Sequence, residues 1–318
     1  INIRGVILNN LGGHRHENKL RKVIEHYTDV HVIGAVHHNP ELDIEERHLG
    51  LVPSHEDSSC LSKIKALQDT VERQVDLDAL LKIAQQHAPV KPAPVIQQVA
   101  ARQADVNIGI VENAAFGFYY PDDLEAFEQA GANLIRIDNL VDTALPPLDG
   151  LFIGGGFPET HMSELESNKS FRRQLAQAID DGLPVYAECG GLMYLARSIE
   201  WRNEKHDMVG AIPADIVMEK KPQGRGYVQL RETEHGIWPS THGQTIAAHE
   251  FHYSRFINLS KNARFAFQVL RGTGIDGRHD GYIRNNMLAC YTHQRNTINN
   301  NWVVRFVKFV RQCNSKQK

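Results

Sequence analysis

The sequence is poor in the features that mark several large classes of protein. Its 318 residues contain four cysteines, Cys60, Cys189, Cys290 and Cys313, with no Cys-x-x-Cys pair. That excludes a disulfide framework or a cysteine zinc site and points to a reducing, cytoplasmic setting. No apolar run approaches the roughly 18 residues that span a bilayer, and no signal peptide is evident. The formal charge of −3 gives no general attraction to nucleic acid or to an anionic membrane. There is no internal repeat and no low-complexity tract. The phosphate-binding pattern Gly-x-x-x-x-Gly-Lys followed by Ser or Thr is missing, so nucleotide chemistry would have to draw on residues outside this chain. An initiator Met is missing too. "INIRGVILNN" enters directly into a buried-strand pattern, and the expectation is of a chain whose N-terminal part lies upstream.

What is present alternates between strand-like and helix-like segments. "RGVILNN" passes through "LGGHRHE" to an amphipathic stretch at "NKLRKVIEHY", and "DVHVIGAVHH" follows as a second strand. Apolar residues at helical spacing (Leu61, Ile64, Leu67, Val71) predict one long helix over 58–87. The proline-bearing "APVKPAPVIQQ" is the best linker in the chain. A second α/β stretch starts at "VNIGIVEN", and its helix "PDDLEAFEQAGA" opens with proline and acids, as suits a helix N-terminus. The strand "NLIRI", the segment "LDGLFIGGGFPE", a helix near "NKSFRRQLAQAIDDG" and a strand leading into Cys189 come next. This alternation predicts a mainly parallel sheet covered on both faces. From about Val209 the strands become shorter and look antiparallel and peripheral, and "NWVVRFVKFVRQ" closes the chain as an amphipathic helix. The organisation expected is an α/β domain over 1–90, a linker over 91–105 and a second α/β domain over 106–318.

The segment with the most chemistry is "LPVYAECGGLMYLARSI". A strand that runs straight into a glycine turn and a helix places the turn residue, Cys189, at the carboxyl end of a parallel sheet, where open α/β sheets keep their sites. Backbone N–H groups at the helix start would stabilise a thiolate or an oxyanion. That is a nucleophile elbow with Cys for Ser. A free cysteine is also commonly a small buried hydrophobe, and position alone leaves both readings open. "FIGGGFPE" supplies Gly155 and Gly156 on a loop that could aim N–H groups at the same place. A cysteine nucleophile needs a base, and His293, ending the strand-like "NMLACYTH", could be brought to it. "HEFHYS" is not a zinc motif. His249 and His252 are three apart on a strand and point to opposite faces, so substrate contact is the better use for His249, and no metal site is expected. "GTGIDG" imitates a dinucleotide fingerprint but has no following helix, and reads as a hairpin turn. Lys220, Lys221, Arg225 and Arg231 surround a glycine turn, either as a solvated loop or as a landing surface for a polycarboxylate.

Together "AAFGFYYPDDLEAFEQAGA", "GLFIGGGFPETH", "VYAECGGLMYL", "GRGYVQL", "HEFHYS" and "YTH" occur in the order found in the cobyrinic acid a,c-diamide synthase family of cobalamin biosynthesis, which this chain resembles over nearly its whole length. "RGVILNNLGGHRHE" and "RHLGLVP" are similar to the second half of that family's ATPase domain. The resemblance implies a partial dethiobiotin-synthetase-like P-loop domain followed by a class I-type glutamine amidotransferase α/β domain. It implies a carbon–nitrogen ligase in which Cys189 attacks glutamine, His293 is the base, and N–H groups near Gly155, Gly156 and Gly190 hold the oxyanion. The ammonia would amidate the a and c acetates of a corrinoid (cobyrinic or hydrogenobyrinic acid, or a related tetrapyrrole such as nickel-sirohydrochlorin), activated with ATP and Mg²⁺. By the same resemblance Asn9 is an adenine contact, and His249, Tyr253 and Arg225 are substrate contacts. The partners implied are glutamine and the tetrapyrrole, with a homodimer as an assembly to test. Two departures stand out. The family's Leu-His-aromatic after the histidine is here Gln294, Arg295 and Asn296, and Cys290 occupies a common serine position. The readings that compete with the synthase are a stand-alone cysteine hydrolase and a non-catalytic corrinoid-binding module.

Overall fold

A computed structural model describes residues 2–44, 60–86, 103–239 and 243–317. The proposed linker sequence "APVKPAPVIQQ" and the "RHLGLVP" match lie outside the described residues. The chain divides into two compact units, within residues 1–97 and 98–318.

In the first unit, β1 (Gly5–Leu11), α1 (His14–Tyr27) and β2 (His31–His37) form a right-sized crossover whose two strands pair in parallel. The expected long helix is two helices, α2 (Cys60–Gln74) and α3 (Leu77–Gln85). The break has a local cause. Val75 leaves the helix to bridge Gly34 on β2, and Asp76 restarts it by accepting a hydrogen bond from the Ala79 N–H at 2.9 Å. Apolar periodicity runs through this point undisturbed, which is why spacing alone merges the two.

The second unit opens with β3 (Val106–Val111), β4 (Phe116–Phe118), α4 (Pro121–Gln129), β5 (Ala132–Ile137), β6 (Gly150–Ile153) and the two-residue β7 (Gly155–Gly156). Helix α4 begins with Pro121 and carries Asp122 and Asp123 in its first turn, as its sequence predicts. Then come α5 (Met162–Ser167), α6 (Lys169–Asp180), β8 (Val185–Glu188), α7 (Gly190–Leu195), β9 (Ala196–Trp201), β10 (Glu204–Asp207), β11 (Ile212–Met218) and β12 (Gly224–Glu232). The chain ends with β13 (Thr245–His252), β14 (Ser254–Ile257), β15 (Arg264–Arg271), β16 (His279–Arg284), β17 (Met287–Cys290), β18 (His293–Gln294) and α8 (Trp302–Gln317). "GTGIDG" joins β15 to β16 as a hairpin connection, as expected.

Ten of these strands make one sheet, in the order β18-β13-β12-β15-β16-β17-β8-β6-β3-β5. From β17 to β5 the pairs are parallel, and from β18 to β17 they are antiparallel. The expectation of short peripheral strands is therefore corrected. From β12 on, all but β14 extend the same sheet, because β17 hydrogen-bonds along the edge of β8. "HEFHYS" is divided as well: β13 belongs to the large sheet, and after Tyr253 the chain turns into β14 of a four-stranded sheet with β10, β9 and β11.

Strand parity builds two cores. On β8, Val185 and Ala187 face a cluster with Phe171, Leu175 and Ile179 of α6, all fully buried. Tyr186 faces the opposite cluster, with Phe152, Trp302 and Phe306. Each such side chain contributes about 1.5–3 kcal/mol by burial. The smaller sheet is pinned by Asp215, which is 3% exposed. It accepts hydrogen bonds from Ser198 Oγ (2.6 Å), Asn258 Nδ2 (2.9 Å) and the Arg197 guanidinium. Arg197 foremost holds its carboxyl well below the usual carboxylate range. The folded pKa lies below the unfolded one, so this stabilisation is complete above the unfolded value and is lost as pH falls. Asp215→Asn is expected to cost about 2 kcal/mol at neutral pH. Thermal melts should show its deficit against the parent shrinking steadily towards about pH 3.

Candidate active site

Cys189 sits at the junction of β8 and α7 with φ 46° and ψ −99°. A non-glycine residue in that region is strained by about 1–3 kcal/mol. The surrounding bonds impose the conformation. Its N–H donates to Cys290 O at 2.7 Å, its carbonyl accepts from Met193 N at 3.0 Å, and Gly191 N donates to Gly154 O at 3.1 Å. The residue is 5% exposed. Helix α7 has only six residues, so the positive potential expected from a helix start is short-ranged here, and the nearest counter-charge for a thiolate is a side chain.

That side chain is His293. Its ring interacts electrostatically with Cys189, and its Nδ1 lies 3.3 Å from Glu188 Oε2. Burial alone would strip the proton from this imidazole. The hydrogen bonds and charges of Cys189 and Glu188 outweigh burial and push the pKa up to about 10. The arrangement therefore favours the protonated imidazole. Cys290 contrasts with it: burial, then the charges of Asp280 and Glu188, push its thiol up, and it is fully buried.

The glycine loop closes over this pair. The Cε1 of His293 lies 2.6 Å from where a Cβ of Gly155 would be, and a Cβ on Gly190 would come within 2.8 Å of Gly156 N. The backbones of the loop and the elbow thus converge beside the sulfur. At the first position of α7, the Gly190 N–H has no acceptor within its own helix. Tyr119 latches the loop from below. Its hydroxyl donates to Val111 O and accepts from Gly154 N at 2.9 Å.

The remaining candidates divide. His249 pairs with His293 across β13 and β18, and the two rings stack with centroids 4.9 Å apart at 19°. Burial, then the charge of His293, lowers the pKa of His249, so it is the neutral member of the stack. His252 points to the other face, as expected, and stacks on Tyr291 at 3.9 Å. Arg225 is exposed, with its guanidinium 5.7 Å from the Phe251 ring. Tyr253 stands at the corner between β13 and β14, edge-on to Phe251. Asn9 is in the first unit, where it lines a cleft of about 400 Å³ with Val36, Leu42, Leu67 and Val71. In that unit the nearest approach to a metal-ligating set among the described residues is His14, Glu17 and His37, whose ligand atoms fall within 4.8 Å. Glu17 is already held by Arg21 at 2.8 Å and His37 at 2.9 Å, so the group is satisfied as it stands.

The departures after His293 have partners. Gln294 is fully buried, and its Nε2 donates to Tyr186 Oη at 3.1 Å. Arg295 pairs with Asp122 at 2.8 Å, and Asn296 N donates to Asp123 Oδ1 at 2.8 Å. Burial pushes the Asp123 carboxyl up to about 7. Sequence reasoning missed Glu188, Tyr119 and Asp123. For Glu188 a signal existed: a lone charge at the end of the apolar run "LPVYA", next to the thiol. Tyr119 and Asp123 carried none, because their partners are distant in sequence.

A family model described as the CobB/CobQ-like glutamine amidotransferase domain matches residues 107–300. A cobyrinate a,c-diamide synthase of Magnetococcus marinus is 40% identical over 296 residues, covering 92% of this chain and 63% of that protein. One of Archaeoglobus fulgidus is 38% identical, covering 96% and 66%. The chain thus spans just under two thirds of the length of these relatives. Among solved structures, PurLQS of Thermotoga maritima is 14% identical with a TM-score of 0.48, covering 67% of this chain and 99% of that one.

Proposed function

The chain belongs to the CobB/CobQ-like glutamine amidotransferase family, and on that premise we propose that Cys189 and His293 hydrolyse glutamine to supply ammonia. The observation that carries this reading is the strained backbone of Cys189, held at an elbow, and the protonated imidazole of His293 that interacts with it supports the reading. The thiolate adds to the side-chain amide carbon of glutamine. The oxyanion that forms accepts hydrogen bonds from backbone N–H groups around Gly155, Gly156 and Gly190. His293 gives its proton to the amide nitrogen, the C–N bond breaks, and ammonia leaves a γ-glutamyl thioester. Neutral His293 then takes a proton from water, whose oxygen attacks the thioester and releases glutamate and the thiolate.

The ammonia is used, on this reading, to amidate the a and c acetate carboxylates of a corrinoid in cobalamin biosynthesis, as the names of the relatives indicate for those proteins. A free carboxylate is a poor electrophile, so that half requires ATP. The cleft around Asn9, lined by apolar Val36, Leu42, Leu67 and Val71 and by polar groups such as Asn10, His38 and Asn39, is large enough for a purine base. The sequence holds no Gly-x-x-x-x-Gly-Lys-[Ser/Thr] pattern to cradle the triphosphate and its Mg²⁺. Arg225, exposed and cationic, is the member of the candidate set suited to a corrinoid carboxylate. No helix among the described residues is long and apolar enough to cross a membrane, and the four cysteines, none of them in a disulfide, fit a reducing, cytoplasmic compartment.

A chloroketone analogue of glutamine tests the reading directly. It is expected to alkylate one thiol per chain, Cys189 by peptide mapping, with protection by free glutamine. Labelling spread over Cys60 and Cys313, without protection, would overturn it.

A further inference from the structure

We propose that Glu188 is the positioning carboxylate of the Cys189–His293 pair, gripping Nδ1 of the imidazole so that Nε2 is left for the sulfur; this rests on the glutaminase reading above. The carboxylate is 3% exposed, and both of its oxygens are assigned. Oε2 faces His293 Nδ1 at 3.3 Å, while Oε1 accepts from Tyr186 Oη–H at 2.6 Å and from Gln294 N at 2.9 Å. Tyr186 Oη in turn accepts from Gln294 Nε2 at 3.1 Å, and Gln294 Oε1 accepts from Asn300 Nδ2 at 3.2 Å. Parity on β8 puts Tyr186 and Glu188 on one face, and the reversed backbone at Cys189 then directs the thiol elsewhere. Consecutive residues thereby supply the nucleophile and the group that orients its base.

A structural filler would not look like this. Among the described residues, the only cation paired with Glu188 is His293. Burying a carboxylate with no lysine or arginine is costly unless that imidazole is charged. The residues that follow His293 carry no carboxylate, and Arg295 is committed to Asp122. Through the reaction Glu188 keeps its place at Nδ1 as an acceptor. It favours the imidazolium before attack and again when His293 takes a proton from water, and it gains no proton itself.

The titratable groups that feel the charge of Glu188 are Tyr186 on its own strand, Cys290 on β17, His249 on β13, and Tyr119, Tyr120 and Asp123 around the start of α4. Its negative charge favours the protonated form of all of them, and of His293 most, through direct contact. Glu188→Gln in the full chain is expected to lower kcat for glutamine hydrolysis about 100-fold or more, with KM within about threefold. The alkaline limb of Cys189 alkylation by iodoacetamide should move down by at least about one pH unit, since losing an opposite charge lowers the pKa of the imidazole. That shift should persist in a His249→Gln background. Glu188→Asp should restore part of both. A folded Glu188→Gln with unchanged kcat and an unchanged limb overturns the proposal. If that variant does not fold, Tyr186→Phe keeps the ring and removes one donor, and should cost about threefold to tenfold in kcat; no change there overturns the proposal equally. A parent chain that is inert to the chloroketone analogue sinks the glutaminase reading instead, and the iodoacetamide profile still reports on Glu188.

Discussion

Cys189→Ala is expected to abolish glutamine-dependent ammonia release, by at least about 10⁴-fold in kcat. His293→Ala should lower it by about 10²- to 10⁴-fold. The difference follows from what each removes. Without the sulfur no thioester can form, and the loop N–H groups can only polarise the amide for attack by water. Without the imidazole the thiolate loses its counter-charge and the leaving nitrogen loses its proton donor, yet the covalent route stays open to the small fraction of thiolate present. Coupled ammonia detection on purified variants, with thermal melts to confirm folding, measures both. Full turnover in either variant would end the assignment. The double variant should be no worse than Cys189→Ala, because the two groups act as one unit.

Gly156→Ala is expected to be the most disruptive single methyl group in the site. A Cβ there would stand 2.0 Å from Ala115 O and 2.8 Å from Phe116 Cα. Both are backbone atoms, so no rotamer change relieves the contact. The pairing of β4 with β7 and the bond from Phe157 N to Ala115 O at 2.8 Å would have to open. The loop would then retreat from the elbow. A loss of about 3 kcal/mol or more follows from overpacking against rigid neighbours, which is a drop in Tm of roughly 6–12 °C for a unit of this size. Gly236→Ala is the control. Its Cβ would meet nothing closer than 3.6 Å, and its Tm should move little. If Gly156→Ala melts with the parent and reacts normally with the chloroketone analogue, the loop does not depend on that contact.

Much of the site's frame is legible in the order of residues. The apolar strand ending at Glu188, the two glycines after Cys189 and the proline-led α4 are local patterns with local causes, and each folds as its pattern predicts. Less legible are events set by partners far along the chain. The break at Val75 comes from a bridge to Gly34, and no periodicity records it. The antiparallel strands look peripheral because a short strand carries no mark of the neighbour it will pair with. His293 stands out among seventeen histidines by resemblance, since no spacing rule connects it to Cys189.

By itself, then, the sequence determined the elbow: which residue turns, why glycines must follow, and which loop faces it. Tertiary structure decided what that turn can do. It brought β18 beside β13 so that His293 stacks on the His249 ring, and it gave Gln294, Arg295 and Asn296 distant partners. It also buried Glu188 where, among the described residues, its only paired cation is an imidazole. Protonation states depend on burial and on charges a few ångströms away, and those distances are properties of the fold rather than of the order of residues.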